Sequence, residues 1–129
     1  MPMETIKPKS ASSIRKRFQQ QETLDPRLPM LLLNADGDIQ HITPAARMLL
    51  EYPDRQPLDP CFFTHVHSRN LQQVWHDLAA MARQRKQQAS WLLRLRTGRG
   101  HWRWFQVRAR NLLAEQDGIL LLLQPLQQA

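Results

Sequence analysis

The sequence predicts an α+β domain in which an antiparallel sheet carries its helices on one face. Apolar residues recur at helical spacing between residues 68 and 84, whereas from residue 91 onwards they occupy every second position, as in strands with one buried face. Turn sequences separate the apolar runs at residues 35–38, 98–100 and 117–118. The predicted order is therefore helix, two strands, several short helices, one long helix and three strands.

The composition predicts one soluble domain inside the cell. A chain of 129 residues is long enough to bury a core of its own. Its single cysteine excludes an internal disulfide, and its first residues lack the apolar run of a secretory signal. The longest apolar runs fall far short of the roughly 20 residues that span a bilayer. We therefore expect a cytoplasmic protein, whose net charge of +7 favours anionic partners without naming one.

The N-terminal part of the sequence predicts a tail followed by a flanking helix. Residues 1–9 contain two prolines and no periodicity, which predicts a disordered tail. Residues 10–25 form a weakly amphipathic pattern in which Ile14 and Phe18 lie four positions apart. A helix with so little apolar surface is not stable alone, so we expect it to pack against the rest of the protein.

The next segments predict a hairpin and two capped helices. In PMLLLNADGDIQHIT, residues 29–43, an Asp-Gly turn lies between two apolar runs, which predicts a β-hairpin. Thr43 and Pro44 are the residue types that begin a helix, and Ser68 is expected to cap the long one. The predicted core stripe of this long helix is Leu71, Val74, Trp75, Leu78 and Ala82.

Three runs of sequence resemble segments of a PAS domain. LLLNADGDIQHITPAARMLLEYP resembles the opening of that family, FFTHVHSRNLQQVW its entry to the long helix, and LRLRTGRGHWRWFQVRARNLLAEQDGILLLL its last three strands. The PAS-like domain is expected to span residues 28–125. The resemblance implies a five-stranded antiparallel sheet with helices on one face and an N-terminal flanking helix. It also implies a sensory or protein-interaction module in signal transduction, with a signalling partner or output domain outside this chain.

The resemblance further implies a pocket between sheet and helices that holds a cofactor, a small ligand or only side chains. The helix and strand patterns predict that this pocket is enclosed by Met48, Phe63, Trp75, Leu78, Leu93, Phe105 and Val107. They do not indicate which cofactor, if any, is bound.

Individual residues argue against several kinds of chemistry. His76 lies opposite the apolar stripe of the long helix, which disfavours haem ligation. Cys61 lies where flavin-binding relatives have a reactive thiol, but the polar groups that hold a flavin are absent, so a buried free thiol is expected. Cys61, His65 and His67 lie in one loop without a fourth ligand, so we predict no metal site. The resemblance implies a structural or capping role for His67 at the start of the long helix. No catalytic motif is present, which predicts a non-enzyme.

The segment RTGRGHWRWF, residues 96–105, predicts an interaction surface. Alternation places Trp102 and Trp104 with arginines on the outer face of the sheet, where cation–π pairs can form across strands. Residues 30–33 and 119–123 are apolar at every position, which predicts strands covered on both faces. We therefore predict a homodimer with Ile14, Phe18, Trp102 and Trp104 at its interface. The alternatives are a sensor that binds a cofactor or small ligand, and a nucleic-acid binder.

Overall fold

The computed structural model describes residues 24–116 and 118–126. In this part of the chain the strands are β1 (Met30–Leu33), β2 (Ile39–Ile42), β3 (Gln88–Arg96), β4 (Trp102–Asn111) and β5 (Ile119–Pro125). The helices are α1 (Pro44–Leu49), α2 (Ser68–Ala82) and α3 (Leu113–Gln116), with a 3-10 turn at Phe62–His65. The predicted tail, and the predicted N-terminal helix as far as residue 23, lie outside the described residues.

The described strands form one sheet in the order β2-β1-β5-β4-β3, and every pair of neighbours is antiparallel. The long hairpin of β3 and β4 pairs Trp91 with Val107 and Leu93 with Phe105. Strand β5 then joins this hairpin to β1, with Val107 opposite Leu123. The predicted α+β class and five-stranded antiparallel sheet are confirmed.

The turn between β1 and β2 is built on Asn34 and Gly37. The Asn34 side-chain oxygen accepts hydrogen bonds from the backbone N–H groups of Asp36 and Asp38, both at 2.9 Å. Gly37 has a φ of +87°, which favours glycine, and a Cβ there would lie 2.6 Å from the ring of Phe63. The Phe63 ring therefore packs against the predicted Asp-Gly turn at Gly37.

Thr43 joins the first hairpin to α1. Its hydroxyl accepts the N–H groups of Ala46, as a helix cap, and of Met30. It also donates to the carbonyl of Leu28 at 2.6 Å. One buried hydroxyl therefore fixes the start of α1 against β1.

Helix α2 begins one residue earlier than predicted. The N-cap is His67, whose Nδ1 accepts the N–H of Arg69 at 3.1 Å, and Ser68 is the first helical residue. Of the structural or capping role expected for His67, the structure shows capping, and the cap predicted at Ser68 is wrong. The His67 N–H also donates to the carbonyl of Arg94 at 3.0 Å, which holds the start of α2 against the edge of β3.

The core lies between the inner face of the sheet and the helices. The sheet contributes the residues that were predicted to alternate inwards, Trp91, Leu93, Leu95, Phe105, Val107 and Ala109. From α2, Val74, Leu78 and Met81 pack against them. The Trp91 indole N–H donates to Asp77 at 2.7 Å, so even its polar atom has a partner.

The outer face of the sheet carries a second, smaller apolar cluster. It consists of the buried residues Leu24, Met30 and Leu32, with Leu120 and Leu122 packed against them. This cluster explains why β1 is buried at all four positions and why β5 is apolar on both sides. Among the described helices, none combines the length and the apolar character needed to cross a bilayer.

Candidate functional site

The space between sheet and helices is the first candidate site. Four of the predicted pocket residues lie there, Leu78, Leu93, Phe105 and Val107, and all four are buried. A cavity of about 10 Å³ lies nearby, bordered by Leu31, Phe62, His65 and Leu95 among others, and none of the four residues lines it. That volume is roughly the space of a single water molecule. All four predicted residues belong to the buried core cluster, so side chains occupy this space in the described part of the chain.

Two of the predicted pocket residues point outwards instead. Met48 is 82% exposed and Trp75 is 53% exposed, so the prediction that they enclose the pocket is wrong. In α1 it is Ala46 that faces the sheet, with Leu50 just after the helix. In α2 the buried positions are Val74, Leu78 and Met81, and Trp75 lies one position, or about 100°, away from Val74. The apolar stripe predicted for α2 therefore included Trp75, which lies on a side of the helix that the sheet does not contact.

Trp75 and Phe63 form the wall of an open surface groove. Their ring centres lie 6.0 Å apart, and Phe63, the remaining predicted pocket residue, is partly buried beside the core. The groove has a volume of about 620 Å³ and is also lined by Leu71, Ala79 and Ala82. The apolar residues on this flank of α2 therefore line a surface groove and not the interior.

The candidates for metal or covalent chemistry do not form a common site among the described residues. His76 is exposed on α2, as its phase predicted, and Cys61 is a free thiol that is half-buried, not buried as expected. His65 contacts the Asp59 carbonyl through Nε2 at 2.8 Å, and its Nδ1 lies 3.5 Å from the Tyr52 hydroxyl. Burial raises the pKa of Tyr52, so the phenol stays protonated. Among the described residues, no three His, Cys, Asp or Glu side chains come close enough together to hold a metal ion.

The outer face of the sheet is the second candidate site. Two cross-strand pairs stand at one end of the β3–β4 hairpin, Arg94 opposite Trp104 and Arg96 opposite Trp102. The Arg94 guanidinium lies 4.5 Å from the centre of the Trp104 ring, which is the cation–π contact that the sequence predicted. Trp102 is 45% exposed and Trp104 is 40% exposed. Trp102 and Trp104 are thus ordered on the sheet and remain partly exposed to solvent.

Four of the seven exposed large apolar side chains in the described residues lie on this end of the outer face. They are Leu92, Trp102, Trp104 and Leu126, which we call the tryptophan surface. Leu126 belongs to it because its N–H donates to the Trp104 carbonyl. Exposed apolar groups gathered in one place mark an interaction site more strongly than the same groups scattered singly.

Polar residues from α2 hold the tryptophan surface in place. The side-chain oxygen of Asn70 accepts the backbone N–H of Arg94 at 3.0 Å and its Nε at 3.3 Å. The His67 ring meets the Trp102 ring edge-on, with 4.8 Å between centres. Desolvation, together with the charges of Arg94 and Arg69, lowers the pKa of His67, which favours the neutral ring that its capping bond requires.

Comparison with known proteins identifies the fold. No protein-family model matches the sequence, and no curated protein does. Solved structures do match: the PAS-B domain of Cycle from Drosophila melanogaster is 14% identical, with a TM-score of 0.64 over 77% of this chain and 100% of that one. A PAS domain from Colwellia psychrerythraea is 12% identical, with a TM-score of 0.66 over 84% and 96%. The PAS domain of the RpfR quorum-sensing receptor from Cronobacter turicensis is 12% identical, with a TM-score of 0.62 over 81% and 98%.

The chain has the PAS domain fold. The resemblance of its three sequence segments to that fold is therefore confirmed. Within this fold, the predicted pocket residues and the predicted interface residues differ in their exposure. The pocket positions from the sheet are core residues, whereas Trp102 and Trp104 lie on an accessible face. The predicted interface residues Ile14 and Phe18 lie outside the described residues.

Alternation in the sequence could not reveal the residues that orient the tryptophan surface. Asn70 and His67 lie at the start of α2, more than twenty positions before the strand residues that they contact. The sequence did contain an indication of their role, since polar residues at the start of a helix need hydrogen-bond partners for their side chains. Only the tertiary fold shows that the partner is the edge of β3.

Proposed function

We propose that this chain is a protein-interaction PAS module in a cytoplasmic signalling pathway and that it catalyses no reaction. The observation that carries the proposal is the contrast between the two faces of the sheet. On the inner face the space is filled, with a cavity of about 10 Å³, whereas on the outer face large apolar groups remain exposed. A module that acts by binding other proteins requires exposed apolar groups and does not require an internal pocket.

The proposed self-association uses the tryptophan surface. Tryptophan and arginine are the residue types enriched at the centres of protein interfaces, and Trp104 is already ordered by Arg94 on one side. A two-fold axis near Trp104 brings the same residues of two chains together, so that each Trp104 is buried by the partner copy. Ile14 and Phe18 of the N-terminal segment are proposed to add apolar contacts beside it. The signal is then passed to a partner or output domain outside this chain.

A ligand-sensing function receives less support from the interior. Two of the similar PAS domains were solved with a small molecule, ethylene glycol in Cycle and BDSF in RpfR. In this chain, large side chains such as Trp91, Phe62 and Phe105 fill the inner space and are almost fully buried. A bound haem or flavin needs a volume far larger than the cavity present, because pockets for such molecules measure roughly 300–1,000 Å³.

Two measurements on purified full-length protein test this proposal. Absorption spectroscopy and native mass spectrometry are expected to show a colourless protein with no bound small molecule. Light scattering is expected to show a dimer. A visible absorption band, or a small molecule bound in a fixed ratio, supports the sensor function instead, and a monomer at every concentration contradicts the proposed self-association.

A further inference from the structure

A groove crosses the outer face of the sheet at the end remote from the tryptophan surface. It is open to solvent and has a volume of about 690 Å³. One side is apolar and is formed by Met30, Leu120 and Leu122, and the other is polar and includes Ser90, Arg108 and Arg110. We call it the arginine groove. No step of the proposed self-association uses it.

The strand register makes the two sides of the arginine groove parallel. Leu122 stands opposite Arg108, and Leu120 stands opposite Arg110, on the adjacent strands β5 and β4. Neighbouring strands lie about 4.8 Å apart, so a row of leucines runs beside a row of guanidinium groups at that spacing. A single amphipathic segment about 10 Å wide, the width of a helix, can contact both rows at once.

On the strands that form the polar side of the groove, the charged residues of this face are all positive. On the outer face, strands β3, β4 and β5 carry four arginines, Arg94, Arg96, Arg108 and Arg110, and no aspartate or glutamate. Arg108 and Arg110 are exposed and form no salt bridge with any other described residue. Guanidinium groups bind carboxylates through paired hydrogen bonds, and the adjacent apolar row excludes water from one side of such pairs.

We propose that the arginine groove binds an acidic amphipathic segment of a partner protein. The apolar side chains of that segment pack on Met30, Leu120 and Leu122, and its carboxylates pair with Arg108 and Arg110. This site is separate from the tryptophan surface, so the proposal goes beyond the proposed function and adds the chemistry of a second partner.

Charge disfavours two other occupants, and the apolar row disfavours a third. In a second copy seated by two-fold symmetry, Arg108 and Arg110 meet like charges. Residues 1–24 of this chain contain five basic and two acidic residues, so they supply few carboxylates for Arg108 and Arg110, although Leu24 packs beside Met30 at the apolar side of the groove. A nucleic acid satisfies the arginines but leaves the row formed by Met30, Leu120 and Leu122 without an apolar partner.

Fluorescence anisotropy with labelled probes tests the proposal on the full-length chain. Two designed peptides of about 18 residues, or five helical turns, share one leucine pattern and carry either glutamate or lysine beside it. The third probe is a peptide with the sequence of residues 7–24, and the fourth is a single-stranded DNA of random sequence. The test variant is Arg108→Gln/Arg110→Gln. Its matched control is Arg83→Gln/Arg85→Gln, which removes the same charge from exposed positions at the end of α2.

The glutamate peptide is expected to bind, with an affinity that falls as salt rises. The test variant is expected to weaken this binding about tenfold and the control variant less than about twofold, because two charge pairs are lost only in the former. Equal binding of the glutamate and lysine peptides overturns the proposal, as does an equal loss in both variants. Tighter binding of DNA, or of the residue 7–24 peptide, assigns the groove to that occupant instead. Light scattering on the same samples measures dimer formation independently of peptide binding. A failure of the arginine groove to bind the peptide is therefore distinguishable from a failure of the chain to form a dimer.

Discussion

Arg94 and Trp104 stand opposite each other on β3 and β4, and the Arg94 guanidinium lies 4.5 Å from the centre of the Trp104 ring. The side chain of Asn70, from the first turn of α2, accepts hydrogen bonds from both the backbone and the Nε of Arg94. The start of the long helix therefore fixes the position of an exposed tryptophan on the other face of the sheet. This connection links the internal packing of the domain to its proposed binding surface.

Replacing Asn70 tests that connection. Asn70→Ala removes the acceptor for two N–H groups of Arg94 and is expected to lower the free energy of unfolding by about 1 kcal/mol. Asn70→Asp keeps an acceptor oxygen and is expected to lose less. Urea denaturation followed by tryptophan fluorescence measures both, with Gln72→Ala at an exposed position of α2 as the control. An unchanged midpoint for Asn70→Ala contradicts the role given to Asn70.

The capping bond of His67 predicts a loss of stability in acid. The folded protein lowers the pKa of His67 below its ordinary value of 6.5, mainly through desolvation, so the unfolded chain takes up the proton first. The contribution of the neutral ring is therefore complete above pH 6.5 and is lost as the pH falls through the folded-state pKa.

Urea denaturation between pH 8 and pH 5, a range of about three units around the histidine pKa, measures this effect. His67→Asn keeps a side chain that can cap the helix but does not titrate in this range, so its stability is expected to depend less on pH. If the wild type and His67→Asn lose stability in parallel, another group is responsible.

The buried Phe105 of β4 and the half-exposed Trp75 of α2 are expected to differ in how much each contributes to stability. Phe105→Ala opens a cavity in the core and is expected to cost about 3–5 kcal/mol. Trp75→Ala removes a larger side chain, but one that is half exposed, and is expected to cost about 1 kcal/mol. Denaturant unfolding of both variants measures the difference. A large loss of stability for Trp75→Ala would show that Trp75 belongs to the core, as the sequence pattern predicted.

Thr43 offers a test of the contact between β1 and α1. Thr43→Val keeps the shape of the side chain but leaves the N–H groups of Met30 and Ala46 without their acceptor, at an expected cost of about 2 kcal/mol. Thr43→Ser retains the hydroxyl and is expected to be the milder change. Thermal unfolding of the two variants checks the order, and a Thr43→Val protein as stable as Thr43→Ser contradicts the role of the hydroxyl.

Most of the architecture could be predicted from the sequence because period-two alternation is specific for a sheet with one buried face. Trp91, Leu93, Phe105 and Val107 all face inwards, as their spacing indicated. Turn residues then fixed the hairpins, since the Asp-Gly pair at Gly37 allows the positive φ that the first turn needs. Helix α3 was missed, because a single turn of four residues leaves no periodic pattern.

The candidate site was harder to predict because it depends on the phase of helices relative to the sheet. Met48 and Trp75 are apolar and lie on helices, but the sheet covers too narrow a part of each helix to reach them. Whether side chains fill the inner space depends on packing between distant segments, which no local pattern records. Trp102 and Trp104 could be assigned to the outer face, since strand alternation alone determines it.

The measurement that tests the proposed function most directly is the mass of the Trp104→Glu protein in solution, obtained by light scattering. The wild type is expected to be a dimer and Trp104→Glu a folded monomer, because a carboxylate at the centre of the interface has to be desolvated for the chains to meet. The matched control is Trp75→Glu, which places the same charge at an exposed tryptophan on α2 and is expected to remain a dimer. A monomeric wild type, or a Trp104→Glu protein that stays folded and dimeric, would contradict the assignment of the tryptophan surface as the interface.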